Sequence, residues 1–396
     1  MKRVYITTVV TCAVLIALFC AYYTIWEKAP DIDTLKVGFL YEYDGSSPYT
    51  YNFLMVESRL KRELDDKVEV VSRTNVLENE TEESLRELVR DGCDLIFAVT
   101  YSDQVMAVAE DCPKAQFCQI SRPGADPADY PANYHTFNVR LYEARYITGV
   151  AAGMKLREML DAGEITADEA LVGFVGAAAE PEIIANYTAF LIGVRSVAPE
   201  ARLLVKYADA WCSYSREKAA AEALIQAGCR VIAQHTHTIS PAVACEEAAD
   251  TSPVLLIGSN QSMIDIAPTS TLVSMRANWA PYVLGAVRSM LSGKAIEHGV
   301  AGTANGNDLC AGFDCDWVQM LEVNHQVAAE GTQARIDALT DQLRRGRINV
   351  FRGDYTGVDP DDPGDTVDLR DGYTESARSS YPSFHYLLKD YVTILP

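Results

Sequence analysis

Short β-branched runs bounded by turn residues alternate with helix-patterned stretches along almost the whole chain, and this leaves few folds open. The clearest instance is residues 205–238, VKYADAWCSYSREKAAAEALIQAGCRVIAQHTHT. A strand ends before Trp211, and an alanine-rich helix runs to a stop at Gly228. A second strand built on Val231 and Ile232 then ends at His235. Ala, Glu, Leu and Gln favour a helix, and glycine is a common stop because it enters the left-handed region without a Cβ clash. Strand, crossover helix and parallel strand make a βαβ unit whose strands end on one sheet edge. Open α/β sheets bind ligands at that edge. Trp211 and His235, at the two strand ends, are expected near each other on a ligand-facing rim.

The alternation runs twice. Strands are predicted at residues 36–41, 68–72, 94–99, 116–120 and 135–139, with helices at 51–64, 80–90, 103–111 and 142–160 between and after them. It restarts with strands at 171–176, 203–207, 254–257 and 271–275 around the opening unit, and helices at 181–197 and 280–291. At 396 residues the chain exceeds one core, since single cores stop growing near roughly 250–300 residues. The expected fold is therefore α/β, two Rossmann-like lobes with parallel sheets and a cleft between them, and domain interfaces favour pockets. The tail from residue 355 is acidic and proline-bearing (GVDPDDPGD), then apolar from 381 to 396. It reads as a mobile loop followed by a segment packed on the second lobe.

The formal charge is −21, from 34 basic and 55 acidic residues. Such a field repels phosphate backbones, which argues against nucleic-acid binding. Residues 4–26 carry no charge and follow Lys2-Arg3. A run of that length crosses about 30 Å of hydrocarbon. Residues 1–30 are thus expected to be a signal anchor or signal peptide, with Tyr22, Tyr23 and Trp26 at the outer interface, and residues 31–35 a linker. A lipid anchor at Cys20 is the weaker alternative, because Phe19 stands where a small residue is needed. Either way, the bulk of the chain is expected outside the cytoplasm at the cell membrane. There Cys112/Cys118 and Cys310/Cys315 could form disulfides, while Cys93, Cys229 and Cys245 read as buried thiols.

Several chemistries lack their residues. No Gly-x4-Gly-Lys-Ser/Thr loop, Gly-x-Ser-x-Gly elbow or His-Glu-x-x-His occurs, and Gly173 and Gly176 lack the full dinucleotide fingerprint. His235 and His237, with no third ligand beside them, read as structural rather than as a metal site. A hydrolase would need clustered carboxylates at the first strand end, where only Glu42 and Asp44 stand. A non-enzyme without metal or cofactor is expected.

Longer motifs point further. Tyr142-Glu143-Ala144-Arg145-Tyr146-Ile147-Thr148-Gly149-Val150-Ala151-Ala152-Gly153 resembles the Y-x-A-R-Y-L-x-G-x-x-A-G signature of the basic membrane protein (purine nucleoside receptor-like) family of ABC transporter substrate-binding proteins. Residues 171–176, the element at Trp211, Glu217-Lys218, Val231-Ile232-Ala233-Gln234-His235-Thr236, Asn278-Trp279-Ala280-Pro281-Tyr282 and Tyr381-Pro382-Ser383-Phe384 continue the resemblance, which covers residue 36 to the C-terminus.

The resemblance implies a type I periplasmic-binding-protein fold with a purine in the cleft. Lobe 1 would comprise residues 36–140 plus about 276–314, and lobe 2 about 141–275 plus 315–396. It also implies a monomer that hands its ligand to ABC permease subunits; a ligand-sensing receptor reporting to a membrane partner is the alternative. Strand-end aromatics could stack on a purine and polar groups read its edge. The expected ligand-binding residues are Tyr49, Asn52, Tyr101, Asp103, Trp211, Gln234, His235 and Asn260, with Glu143 and Arg145 bracing the crossover. Gly258-Ser259-Asn260-Gln261 stands where the family's nucleoside binders carry an Asp, and Ala277 where they carry a Lys. Both groups look like ribose clamps in the family, so a free base such as adenine is expected over a nucleoside.

Overall fold

The strand LKVGFLY, β1 (Leu35–Tyr41), is apolar on both faces and almost wholly buried, as a central parallel strand requires. In this computed structural model, which describes residues 33–124, 126–376 and 378–396, β1 leads into α1 (Pro48–Leu64). The Ser47 hydroxyl caps that helix by accepting from the Thr50 amide at 3.4 Å, and Pro48 occupies its first turn. The order then runs β2 (Val68–Arg73), α2 (Thr81–Arg90), β3 (Leu95–Val99), α3 (Gln104–Asp111), β4 (Gln116–Ile120) and β5 (Tyr134–Val139).

The second series follows: α4 (Tyr142–Asp161), β6 (Leu171–Gly176), α5 (Pro181–Arg195), β7 (Arg202–Tyr207), α6 (Tyr214–Gln226), β8 (Val231–His235), α7 (Ser240–Ala248), β9 (Leu255–Ser259) and β10 (Thr271–Ala277). Then come α8 (Ala280–Leu291), the single turn α9 (Ile296–Gly299), β11 (Thr303–Asn305), β12 (Asp308–Ala311), β13 (Val318–Val323) and α10 (Thr332–Arg344). The chain closes with β14 (Thr356–Val358), β15 (Thr366–Asp368) and β16 (Val392–Ile394).

Two seven-stranded sheets result, ordered β11-β12-β5-β4-β3-β1-β2 and β13-β10-β9-β8-β6-β7-β16. Both are parallel except at the antiparallel pairs β11–β12 and β10–β13. Backbone passes between the sheets at α4, at α8 and at the turn from β12 to β13. In the opening unit β7 and β8 are not neighbours; both pair with β6, one on each side. Their ends still share an edge. Gly228 adopts φ +88° just past α6, as a helix stop demands.

The glycines of the Tyr142–Gly153 motif have a packing purpose. At the α4–α5 crossing, a Cβ on Gly149 would lie 2.1 Å from the Phe190 carbonyl oxygen, and one on Gly193 would lie 2.2 Å from that of Tyr146. The backbones touch directly, locking the crossover helix to the second lobe. An apolar cluster runs from Phe39 and Phe97 in the first lobe through Trp279 to Phe174 and Val273 in the second.

Three expectations need correction or placement. The acidic tail is not a free loop: β14 and β15 pair antiparallel around it, and β16 joins the edge of the second sheet beside β7. All eight described cysteines are free thiols. Cys112 and Cys118 cannot meet because they pack into different apolar clusters, and Cys310 is buried while Cys315 is partly exposed. The anchor at residues 4–26, Cys20 and residues 31–32 of the expected linker lie outside the described residues, while Leu35 at the linker's end already belongs to β1; among the described residues no helix is long and apolar enough to cross a membrane.

Candidate functional site

The strand C-termini of both sheets converge on one cleft. Glu42 follows β1, Tyr101 follows β3, Ile120 ends β4 and Asn138 stands at the end of β5. From the other side come His235 of β8, Ser259 at the end of β9 with Asn260 just past it, and Ala277 of β10. The aromatic side chains largely fill the cleft, whose inner and outer parts share the walls Tyr49, Tyr101, Trp211 and His237. Asn260 has φ +68°, a left-handed conformation that Asn tolerates better than most residues, and its amide donates to the Met275 carbonyl at 2.8 Å.

Aromatic rings from the two lobes face each other across the cleft. Tyr49 of α1 stacks on His237 with centroids 4.3 Å apart and planes 3° from parallel. Trp211 packs against His237 at 5.0 Å, His235 at 5.9 Å and Tyr101 at 5.9 Å. The loop holding Trp211 is tied to the turn after β8, because the His237 amide donates to the Trp211 carbonyl at 2.8 Å. Buried Glu217 clamps both segments. Its carboxylate accepts from the Ser213 amide at 2.9 Å, and from the Thr238 amide and hydroxyl at 3.0 and 2.6 Å. The wall is thus held by buried hydrogen bonds rather than by a surface loop's own stiffness.

The cleft is acidic and holds no lysine or arginine side chain among its lining residues. The Glu182 carboxylate accepts from the Tyr101 hydroxyl at 2.9 Å, which links the lobes, and lies 3.7 Å from His235 Nε2, beyond hydrogen-bond range. Burial raises the pKa of Glu42, although the Thr100 hydroxyl donates to it at 2.5 Å. Burial also lowers the pKa of His237 from 6.5 to about 3, with His235 adding a second like charge. His235 is lowered by burial too, against the pull of Glu182. Both imidazoles are therefore neutral at pH 7 and can accept as well as donate hydrogen bonds. Behind the wall, wholly buried Arg145 donates to the Gln234 carbonyl at 2.5 Å and lies 5.3 Å from the Phe174 ring. Glu143 accepts from the Phe313 amide at 2.9 Å and pairs with Arg140 at 2.7 Å, so both residues brace the lobe crossings.

Of the residues expected at the site, Tyr49, Tyr101, Trp211, His235 and Asn260 line the cleft together. Three do not. Asp103 sits at the surface with its side chain 81% exposed, ion-paired to Arg122, because the turn after β3 carries it away from the sheet edge. Gln234 faces the opposite side of β8 from His235, as strand alternation dictates, and its amide donates to the Thr238 carbonyl at 3.0 Å. Asn52 is buried but lines an adjoining groove, which shares only Ala277 and Trp279 with the inner cleft.

Glu182, His237, Asn138, Ser259 and Trp279 line the cleft without having been singled out as ligand contacts. Two had a readable signal. Glu182 follows the strand end of β6 at the start of a helix, and His237 lies two residues past His235. Outside the cleft, Asp359, Asp365 and His385 each bring one metal-capable atom within 4.8 Å of the others; His385 Nε2 lies 3.5 and 4.0 Å from the two carboxylates, a partly exposed ion-pair cluster.

A sequence model of the Bmp family, described as ABC transporter substrate-binding protein PnrA-like, matches residues 44–346. A purine-binding protein of Brucella abortus (strain 2308) is 28% identical over 330 residues, covering 81% of this chain and 84% of its own. A Haloferax volcanii protein named for glucose binding in an ABC transporter is 29% identical over 286 residues, 70% of this chain and 64% of that one. Among solved structures, an ABC transporter solute-binding protein from Aeropyrum pernix K1 superposes with a TM-score of 0.62 at 17% identity, covering 79% of this chain and 92% of its own. That likeness is one of fold.

Proposed function

The chain belongs to the family of PnrA-like ABC transporter substrate-binding proteins, and we propose that it captures a free purine base, adenine in particular, in the cleft and delivers it to a membrane permease. The observation that carries this reading is the pairing of flat aromatic walls with the Glu182 carboxylate in a cleft lined by no cationic side chain. A base offers two π faces for stacking and N–H groups for a carboxylate to accept. A phosphorylated ligand would meet Glu42 and Glu182 as like charges. The purine-binding relative supports the ligand class.

Ala277 and the Ser259-Asn260 turn support the choice of base over nucleoside. They present a methyl group, a hydroxyl and an amide at the second-lobe side of the cleft, at the positions where the family's nucleoside binders carry a Lys and an Asp. In this reading the ligand lies against Trp211, and lobe closure brings Tyr49 and Tyr101 over it. The protein supplies differential affinity between open and closed forms; the permease's ATPase subunits supply the work. The bulk of the chain works outside the cytoplasm, tethered at the membrane. Calorimetric titration with adenine, adenosine and glucose tests the proposal. Adenine is expected to bind most tightly; tighter binding of adenosine would remove the free-base preference, and tighter binding of glucose would remove the purine reading.

A further inference from the structure

Adjoining the cleft at Trp279 lies a solvent-open groove of about 890 Å³. One wall is a face of α1, the other the end of β10 and the start of α8. Its chemistry is opposite to that of the cleft. No carboxylate is among its lining residues, whereas Arg59, Arg62 and Arg276 all are, in a chain of net charge −21. Arg59 pairs with Glu63 at 2.6 Å, but among the described residues neither Arg62 nor Arg276 has a carboxylate within 4 Å. Arg276 is oriented through its Nε, which donates to the Gln319 side chain at 3.0 Å.

A second, independent observation points to a ligand. Asn52 Nδ2 is a buried donor with no hydrogen-bond partner, in a side chain only 6% exposed. Leaving such a group unmet costs about 1–3 kcal/mol. Asn52 lines this groove and not the cleft. Beside this donor Tyr51 and Met55 are 46% and 45% exposed, large apolar side chains of the kind a folded chain usually covers. Guanidinium groups, an unmet N–H donor and an apolar shelf together suit an acceptor-rich anion that also has a flat part.

We propose that this groove, which adjoins the cleft through Ala277 and Trp279, is a second ligand site for an organic phosphate of the nucleoside monophosphate class. Arg62 and Arg276 hold the phosphate, and the flat part lies on Tyr51 and Met55. The assignment stands on the groove's own residues and does not depend on what the cleft binds.

The test is calorimetric titration of the full-length protein with adenosine monophosphate, in the presence of saturating adenine. The wild type is compared with the Arg62→Gln/Arg276→Gln double variant. The wild type is expected to bind, the variant to lose roughly tenfold or more in affinity, and inorganic phosphate to compete. Adenine affinity in the variant, expected within about twofold of wild type, reports that it is folded. Absence of binding to the wild type, equal affinity in wild type and variant, or displacement of adenine mole for mole would each overturn the proposal. Arginine-dependent binding of the monophosphate by a protein that does not bind adenine would overturn the reading of the cleft and leave this one standing.

Discussion

Trp211 contacts three rings of the cleft, and its own position is set by a backbone hydrogen bond to His237 and by the Glu217 clamp. Stacking of a base on an aromatic ring is worth about 1–3 kcal/mol. Trp211→Ala is therefore expected to weaken adenine binding about 5- to 150-fold. The melting temperature should hardly move, since the residue is only half-buried. Asp103→Ala is the matched control: with its side chain 81% exposed and paired to Arg122, it should leave affinity within about twofold. Equal losses from the two substitutions would mean the ligand lies elsewhere. These two residues mark the limit of legibility at this scale. Both follow strand ends in the sequence, but whether a post-strand residue points into the cleft depends on how its turn leaves the sheet, and no local pattern encodes that.

At the scale of elements, the long strands and helices were readable because their apolar periodicity and their glycine and proline boundaries are local properties. The short strands β11 to β13, β14, β15 and β16 were not. Five of them have only three or four residues, too few for a period, and β12, β13 and β16 are stabilised by partners distant in sequence. β16, for instance, pairs with β7 across nearly half the chain.

The α4–α5 crossing gives a prediction whose sign discriminates. In an exposed helix, Gly→Ala stabilises by about 1 kcal/mol. At Gly193 the new methyl would meet the Tyr146 carbonyl oxygen at 2.2 Å, backbone against backbone with no flexible side chain to yield. Gly193→Ala is expected to destabilise by about 1–3 kcal/mol or more, read as a lower urea midpoint at unchanged m-value. A raised midpoint would show that the helices have room to part.

At the scale of the whole molecule, closure rests on contacts that cross the cleft, chiefly the Tyr49–His237 stack and the Tyr101–Glu182 hydrogen bond. His237 is charged with difficulty in the closed form, where burial takes its pKa from 6.5 to about 3. An open form that exposed it would restore the ordinary value. Between those limits the open form binds a proton that the closed form does not, so closure is at full strength above pH 6.5 and is lost as pH falls towards 3. The slope is up to about 1.4 kcal/mol per pH unit. Glu42 and Glu180, whose pKa values burial raises, act in the opposite sense and flatten the curve. Adenine affinity is expected to fall on going from neutral to mildly acidic buffer, and His237→Asn should reduce that fall, with His235, whose pKa burial also lowers, carrying the rest. The same pH profile in the variant would exclude His237 as its source.

The amino-acid sequence by itself determined the α/β class, the repetition of the alternating pattern, the family and the placing of several aromatic residues at strand ends. All follow from periodicity, turn residues and motifs read over a few positions at a time. Only the tertiary structure decided which of those residues share a cavity. It turned Trp211 and His235 inward with Glu182 and His237, left Asp103 in solvent, and carried Asn52 round to a cationic groove beside Trp279. The physical reason is that a cleft is made by two lobes meeting. Its shape and charge depend on which distant strand ends the crossings at α4 and α8 bring face to face, and that pairing is a property of packing rather than of any stretch of chain.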